Sequence, residues 1–142
     1  MVLAKLPAFT GTGGYSDAAE AALASMRAEM AQAPLGFASW LSALDFVLSE
    51  PSELAIVGPD ALPMLRLVRS TYRPNLVVAA AAASGPTSGD DDTSVPLLAD
   101  RLAVDGQATA YLCRHFACER PVTTADDLAA LLTDQARPSN RV

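Results

Sequence analysis

Two short apolar runs constrain this chain more than any other feature. Leu54-Ala-Ile-Val57 ends in Gly58, and Leu76-Val-Val-Ala-Ala80 follows Pro74-Asn75. Neither run alternates apolar with polar residues. A strand apolar on both sides needs cover on both faces, which a parallel pair joined by a crossover helix provides. The segment between them supplies that helix. Asp60 is a candidate N-cap, and Ala61 to Tyr72 places Leu62, Leu65 and Val68 inward with Leu67 beside them. Pro63 lies in the first turn, where proline is tolerated. The pattern predicts a strand–helix–strand unit. Ala108 to Cys113 reads as a third strand after the Asp105-Gly106 turn, and Leu97, Leu98, Leu102 and Val104 suit a loose helical turn before it. Thr124 with Asp127 resembles a capping box opening a last helix, with Leu128, Leu131 and Leu132 inside and Pro138 at its end.

Upstream, the period changes to that of helices. Ser16 to about Ala33 carries Ser16 as a candidate cap, Asp17 and Glu20 in the first turn, and Ala19, Leu23, Met26 and Met30 near helical spacing. From Leu35 to Leu48, Phe37, Trp40, Leu41, Leu44, Val47 and Leu48 form one apolar stripe. Pro34-Leu35-Gly36 between them predicts an antiparallel helical hairpin. The fold class expected is therefore α/β: a helical hairpin followed by a small, mainly parallel sheet with flanking helices. The hairpin would occupy residues 1–50, the α/β segment 51–138 and a tail 139–142.

Composition narrows the partners. Ten Lys and Arg against sixteen Asp and Glu give a net charge of -6, a balance that argues against the basic face nucleic-acid binding needs, so no nucleic-acid partner is expected. A basic membrane-surface helix is disfavoured for the same reason. The longest apolar run, Leu76 to Ala83, falls far short of the roughly 20 residues of a membrane span. Pro7 and the Gly11–Gly14 cluster interrupt any signal-like start, so a cytoplasmic location is expected. Hydrophobic residues reach 51% and charged residues only 18%, which is more apolar than a fully solvated domain carries comfortably. Self-association or a partner is expected to cover the excess.

Few residues look chemical. Cys113 and Cys118 can close a disulfide if the chain turns back, remain as two thiols, or act as a redox pair. With His115 they offer three soft ligands, one short of a structural zinc site, so no metal is assigned. Asp45 is either a buried functional carboxylate or a flank position beside the stripe. Gly58 ends a strand where α/β folds hold phosphate, but without a Gly-rich fingerprint it reads as a turn glycine. Asp90, Asp91 and Asp92 lack the alternate spacing of a calcium loop. No Ser/His/Asp order or paired carboxylate stands out, so no catalytic residue and no cofactor is assigned.

The order of landmarks is informative. Thr10-Gly-Thr-Gly-Gly-Tyr15 precedes the Ala-rich helix, and Ala43-Leu44-Asp45 leads to Leu54-Ala-Ile-Val-Gly58. Pro74-Asn75-Leu76-Val-Val78 follows, then Ala110-Tyr-Leu-Cys113, Cys118 and Pro121. From about Leu6 to Leu132 the chain resembles the carboxy-terminal segment of the thioredoxin-domain-containing, YyaL-like and spermatogenesis-associated protein family. The resemblance implies an amino-terminal thioredoxin-like domain and a six-hairpin α/α barrel similar to glycosidases and sugar epimerases, of which this sequence would keep the last hairpin and the α/β segment. It implies no catalytic residue here, because the family's redox cysteines lie in the other part. The expected function is thus a non-catalytic portion of a larger protein. Two alternatives are a small thiol-redox protein using Cys113 and Cys118, and a module whose hairpin docks a partner.

Overall fold

The computed structural model describes residues 1–49, 51–82, 95–114 and 117–135. The loop 84–94 with its three aspartates, His115, Pro138 and the tail 139–142 lie outside the described residues. The architecture is α/β, with helices packed on a four-stranded sheet. Strands β1 (Ser52–Val57), β2 (Leu76–Ala81), β3 (Thr109–Arg114) and β4 (Ala117–Cys118) lie in the order β2-β1-β3-β4.

The two apolar runs pair as parallel strands, in register from Ser52↔Leu76 to Val57↔Ala81. The rest of the sheet departs from expectation. β3 runs antiparallel to β1, and β4 antiparallel to β3, so the sheet is mixed rather than mainly parallel. A short apolar run suits a buried strand of either sense, so the pattern of β3 does not set its direction. Between β2 and β3 the described residues hold only two 3-10 turns, Pro96–Leu98 and Val104–Gly106.

One sheet face is closed by α5 (Leu62–Arg69) and α6 (Ala125–Gln135). Leu54, Ile56, Ala110 and Leu112 from the strands pack there with Met64, Val68, Leu128 and Leu132. The start of α5 corrects the expected cap. Asp60 sits in the preceding turn with φ of 54°, and the N-cap is Ala61, with no side-chain hydrogen bond. The inward face also shifts: Met64 and Val68 are buried, whereas Leu62 is exposed. At α6 the Thr124 side-chain cap forms, without the reciprocal bond from the Thr124 N–H that would complete a capping box. The Asp127 N–H donates to Thr124 Oγ1 at 3.1 Å, and that hydroxyl donates to the Asp127 carboxylate at 2.6 Å.

The other face carries the helical layer: α1 (Val2–Thr10), α2 (Gly14–Ser25), α3 (Arg27–Gln32) and α4 (Ala38–Leu48), the last preceded by a 3-10 turn at Pro34–Phe37. Helix α1 was not expected, because Pro7 and the glycine cluster read as breakers. Gly11 is instead its C-cap, left-handed at φ 67°, with its N–H bonded to the Pro7 carbonyl at 2.9 Å. Ala4, Ala8 and Phe9 of α1 join Phe46 of α4 over Ala55, Val77 and Ala79. The first helix of the expected hairpin breaks at Met26. Ser25 Oγ donates to the Ala22 carbonyl at 2.7 Å, the acceptor that a continuing helix would offer Met26, and the Met26 N–H turns to Leu23 instead. Ser16 lies inside α2, not at its cap, which is Gly13.

Candidate functional site

The most chemically distinctive place is the β3–β4 hairpin. Cys113 and Cys118 are directly opposed in the antiparallel register, with Cα atoms 3.9 Å apart, and their sulfurs form a disulfide. The neighbouring pair, Leu112 and Glu119, carries the ladder hydrogen bond, Glu119 N–H to Leu112 C=O at 2.9 Å. The cystine therefore occupies a non-hydrogen-bonded pair, where opposed side chains approach closest. Of the readings open from the sequence, the two free thiols give way to a bonded pair. In that form neither sulfur is a thiolate, so the trio with His115 offers no soft-ligand set. The two ends differ in access: Cys113 is 2% exposed and Cys118 lies at the surface.

Arg101, from the segment between the two 3-10 turns, reaches over this pair. Its Nη2 lies 3.4 Å from Cys113 Sγ and 3.3 Å from Cys118 Sγ. Its guanidinium sits 5.1 Å from the centre of the Tyr111 ring, and the Tyr111 hydroxyl donates to the Leu102 carbonyl at 2.6 Å, pinning the segment that carries Arg101. The Arg101 Nε is buried without a partner. Glu53 stands opposite Cys113 on β1, completing a row of Glu53, Cys113 and Cys118 across the sheet. Burial pushes the Glu53 carboxyl up from its ordinary value, and the positive charge of Arg101 pulls it partly back. Arg101 and Glu53 carried no signal in the sequence, because the antiparallel register sets Glu53 beside Cys113 and the path of the segment between the two 3-10 turns brings Arg101 there. Tyr111, two residues before Cys113 and so on the same strand face, was within reach of the pattern.

The other candidates resolve as structural. Asp45 is exposed, which corrects its reading as a buried carboxylate and places it on the flank of α4. It accepts from Asn75 Nδ2 at 3.2 Å, while that amide also donates to Ser49 Oγ at 3.0 Å. Lys5 Nζ donates to the Pro74 carbonyl at 3.1 Å and lies over the Phe46 ring. These contacts tie α1 and α4 to the turn before β2. Gly58 is a packing glycine. Its φ is 107°, and a Cβ there would come within 2.9 Å of Ala103 Cβ and 3.0 Å of the Gln107 carbonyl oxygen.

The helical layer holds two open apolar grooves. One, of about 240 Å³, lies among Leu3, Ala19, Leu23, Trp40 and Ala43. The second, about 610 Å³, runs along Leu23, Met30, Leu44, Val47 and Leu48. The α4 stripe is only partly covered: Trp40, Leu41, Leu44 and Val47 are half-buried, and Leu48 is 76% exposed. The α4 side chains that are buried are Ala43 and Phe46. Leu35, on the turn before α4, is 98% exposed.

Among the described residues no helix is long and apolar enough to cross a membrane, and no three His, Cys, Asp or Glu side chains cluster to hold a metal ion. No protein-family model matches the chain. No solved structure matches it. Curated relatives do. Spermatogenesis-associated protein 20 of Homo sapiens is 28% identical over 134 residues, which is 92% of this chain and 17% of that protein. The proteins of the same name from Mus musculus and Rattus norvegicus are each 27% identical over the same shares. The chain is thus homologous, over nearly all its length, to about a sixth of much longer proteins.

Proposed function

We propose that this chain is the carboxy-terminal module of a larger protein built like spermatogenesis-associated protein 20, non-catalytic alone, whose helical layer docks against the remainder. The observation that carries this reading is the pair of coverages: 92% of this chain against 17% of the relatives. The half-covered α4 stripe supports it. Fully burying a Leu or Phe side chain is worth roughly 1.5–3 kcal/mol, so a stripe left partly wet is a surface that association stabilises. By the resemblance, the remainder is a thioredoxin-like domain and an α/α barrel, and the grooves beside α2 and α4 are where the missing barrel helices would pack. A sugar pocket of that barrel needs walls on several sides. One exposed carboxylate, Asp45, does not make the two acidic groups that glycoside hydrolysis normally uses.

The test is in the gene and then in the tube. The DNA upstream of Met1 is read for a frame encoding the thioredoxin-like and barrel parts, and its product is co-expressed with this chain. Co-elution on gel filtration that Leu35→Ser with Leu48→Ser disrupts is the expected result. A barrel product that elutes apart from a well-folded chain would overturn the reading.

A further inference from the structure

The geometry points to the Cys113–Cys118 disulfide as a reversible exchange site that accepts electrons from a dithiol, with Cys118 as the sulfur attacked and Arg101 holding the thiolate that leaves. This goes beyond docking and does not depend on it. Three observations converge. The two cysteines differ in access as residues, Cys118 exposed and Cys113 2% exposed. One guanidinium nitrogen contacts both sulfurs, at 3.4 and 3.3 Å. The Arg101 Nε is buried without a hydrogen-bond partner, so its cation is held over the sulfurs without being fully satisfied there. A neutral cystine is a weak acceptor for such a donor, whereas a thiolate is a strong, charged one. The site is thus better matched to the reduced pair than to the oxidised one.

The chemistry balances within one exchange. A thiolate of the external dithiol attacks Cys118 Sγ and forms a new S–S bond. The Cys113–Cys118 bond breaks, and its electron pair leaves on Cys113 Sγ as a thiolate beside Arg101. The second thiolate of the dithiol then attacks its own sulfur in the mixed disulfide. That step closes the external disulfide and releases Cys118 as a thiolate. Two electrons pass to the protein pair, the external dithiol is oxidised, and its two protons end on the cysteines. Exchange speeds up as the leaving thiol becomes more acidic, and a cation against that sulfur makes it so. Cys113 and Cys118 sit at an edge hairpin, so the bond can open without unzipping β1 from β2 or β3.

The test uses the intact chain and dithiothreitol as the dithiol, with reduction read by the mass gained on alkylation. The wild type should be reduced under native conditions while its near-ultraviolet dichroism persists. Arg101→Gln should slow reduction by about three- to tenfold, with Arg101→Lys recovering part of the rate. Equal rates in Arg101→Gln and wild type, or reduction only in denaturant, would overturn the proposal. Single-cysteine variants decide it should Arg101→Gln fail to fold. Cys118 in Cys113→Ser should react with an aromatic disulfide at least about tenfold faster than Cys113 in Cys118→Ser. Its thiolate should also form below the ordinary thiol range. Equal or inverted reactivities would contradict the assignment of the attacked sulfur.

Discussion

The two faces of the sheet are finished differently. On the α5/α6 side, Leu54, Ile56 and Leu128 are wholly buried, the last helix carries a side-chain cap, and the chain supplies its own cover. On the helical side, α1 to α4 have no side-chain caps, the first expected helix is broken at Met26, and apolar grooves open beside Trp40 and Leu48. The inner surface of that layer is sound, since Phe46 packs on the sheet. Its outer surface is not closed. The contrast teaches that this chain folds around its sheet and leaves the outer face of its helices open.

Core substitutions should show the contrast most strongly. Leu54→Ala removes a side chain with no exposure and should cost about 2–5 kcal/mol in urea unfolding. Leu48→Ala on the outer helical surface should stay within about 0.5 kcal/mol in the isolated chain. Similar losses at both positions would erase the difference between the faces. Next in size is the edge hairpin. Cys113→Ser with Cys118→Ser should lower stability by about 2 kcal/mol, the modest value of a cross-link that closes a short loop. Thermal unfolding with and without reductant should give the same difference in the wild type.

Capping comes third. Thr124→Ala removes the hydroxyl that accepts from Asp127 N–H and should cost about 1 kcal/mol, while Ser16→Ala, inside α2, should cost far less. The smallest effect is at Glu53. Burial raises its carboxyl above the ordinary 4.5, so the folded chain holds that proton more tightly than the unfolded chain. The resulting stabilisation is fully present below about pH 4.5 and is lost as pH rises through the raised folded value. Glu53→Gln should flatten stability across that window and gain slightly at neutral pH, less what the attraction to Arg101 contributed. Urea melts from ~pH 4 to ~pH 7 check it, and a variant that keeps the wild-type slope would assign the slope elsewhere.

Much of this was legible in residue patterns. The two apolar runs gave a parallel pair because nothing but burial on both faces suits them, and Thr124 with Asp127 gave a capped helix from local chemistry alone. The sense of β3 was not legible, since the run from Ala108 to Cys113 suits a buried strand of either direction. Helix α1 was hidden because Pro7 and Gly11 read as interruptions, although Gly11 is the residue that ends it. The α4 stripe is legible as apolar, but which of its side chains stay uncovered is not. Periodicity reports which face is greasy, and only the neighbours decide whether that face is covered. The cysteine spacing left a disulfide open, but Arg101 reaches the sulfurs from a distant non-strand segment and Glu53 stands beside Cys113 through strand register, neither of which a short motif encodes.

The central claim, that the helical layer is an unfinished surface, is tested most directly by sedimentation of the isolated chain over a wide concentration range, with a dye that binds apolar surface followed in parallel. The account predicts association that grows with concentration, or dye binding to the monomer, and it predicts that Leu35→Ser with Leu48→Ser suppresses both while leaving unfolding unchanged. A wild-type chain that stays monomeric throughout and binds no dye would contradict it.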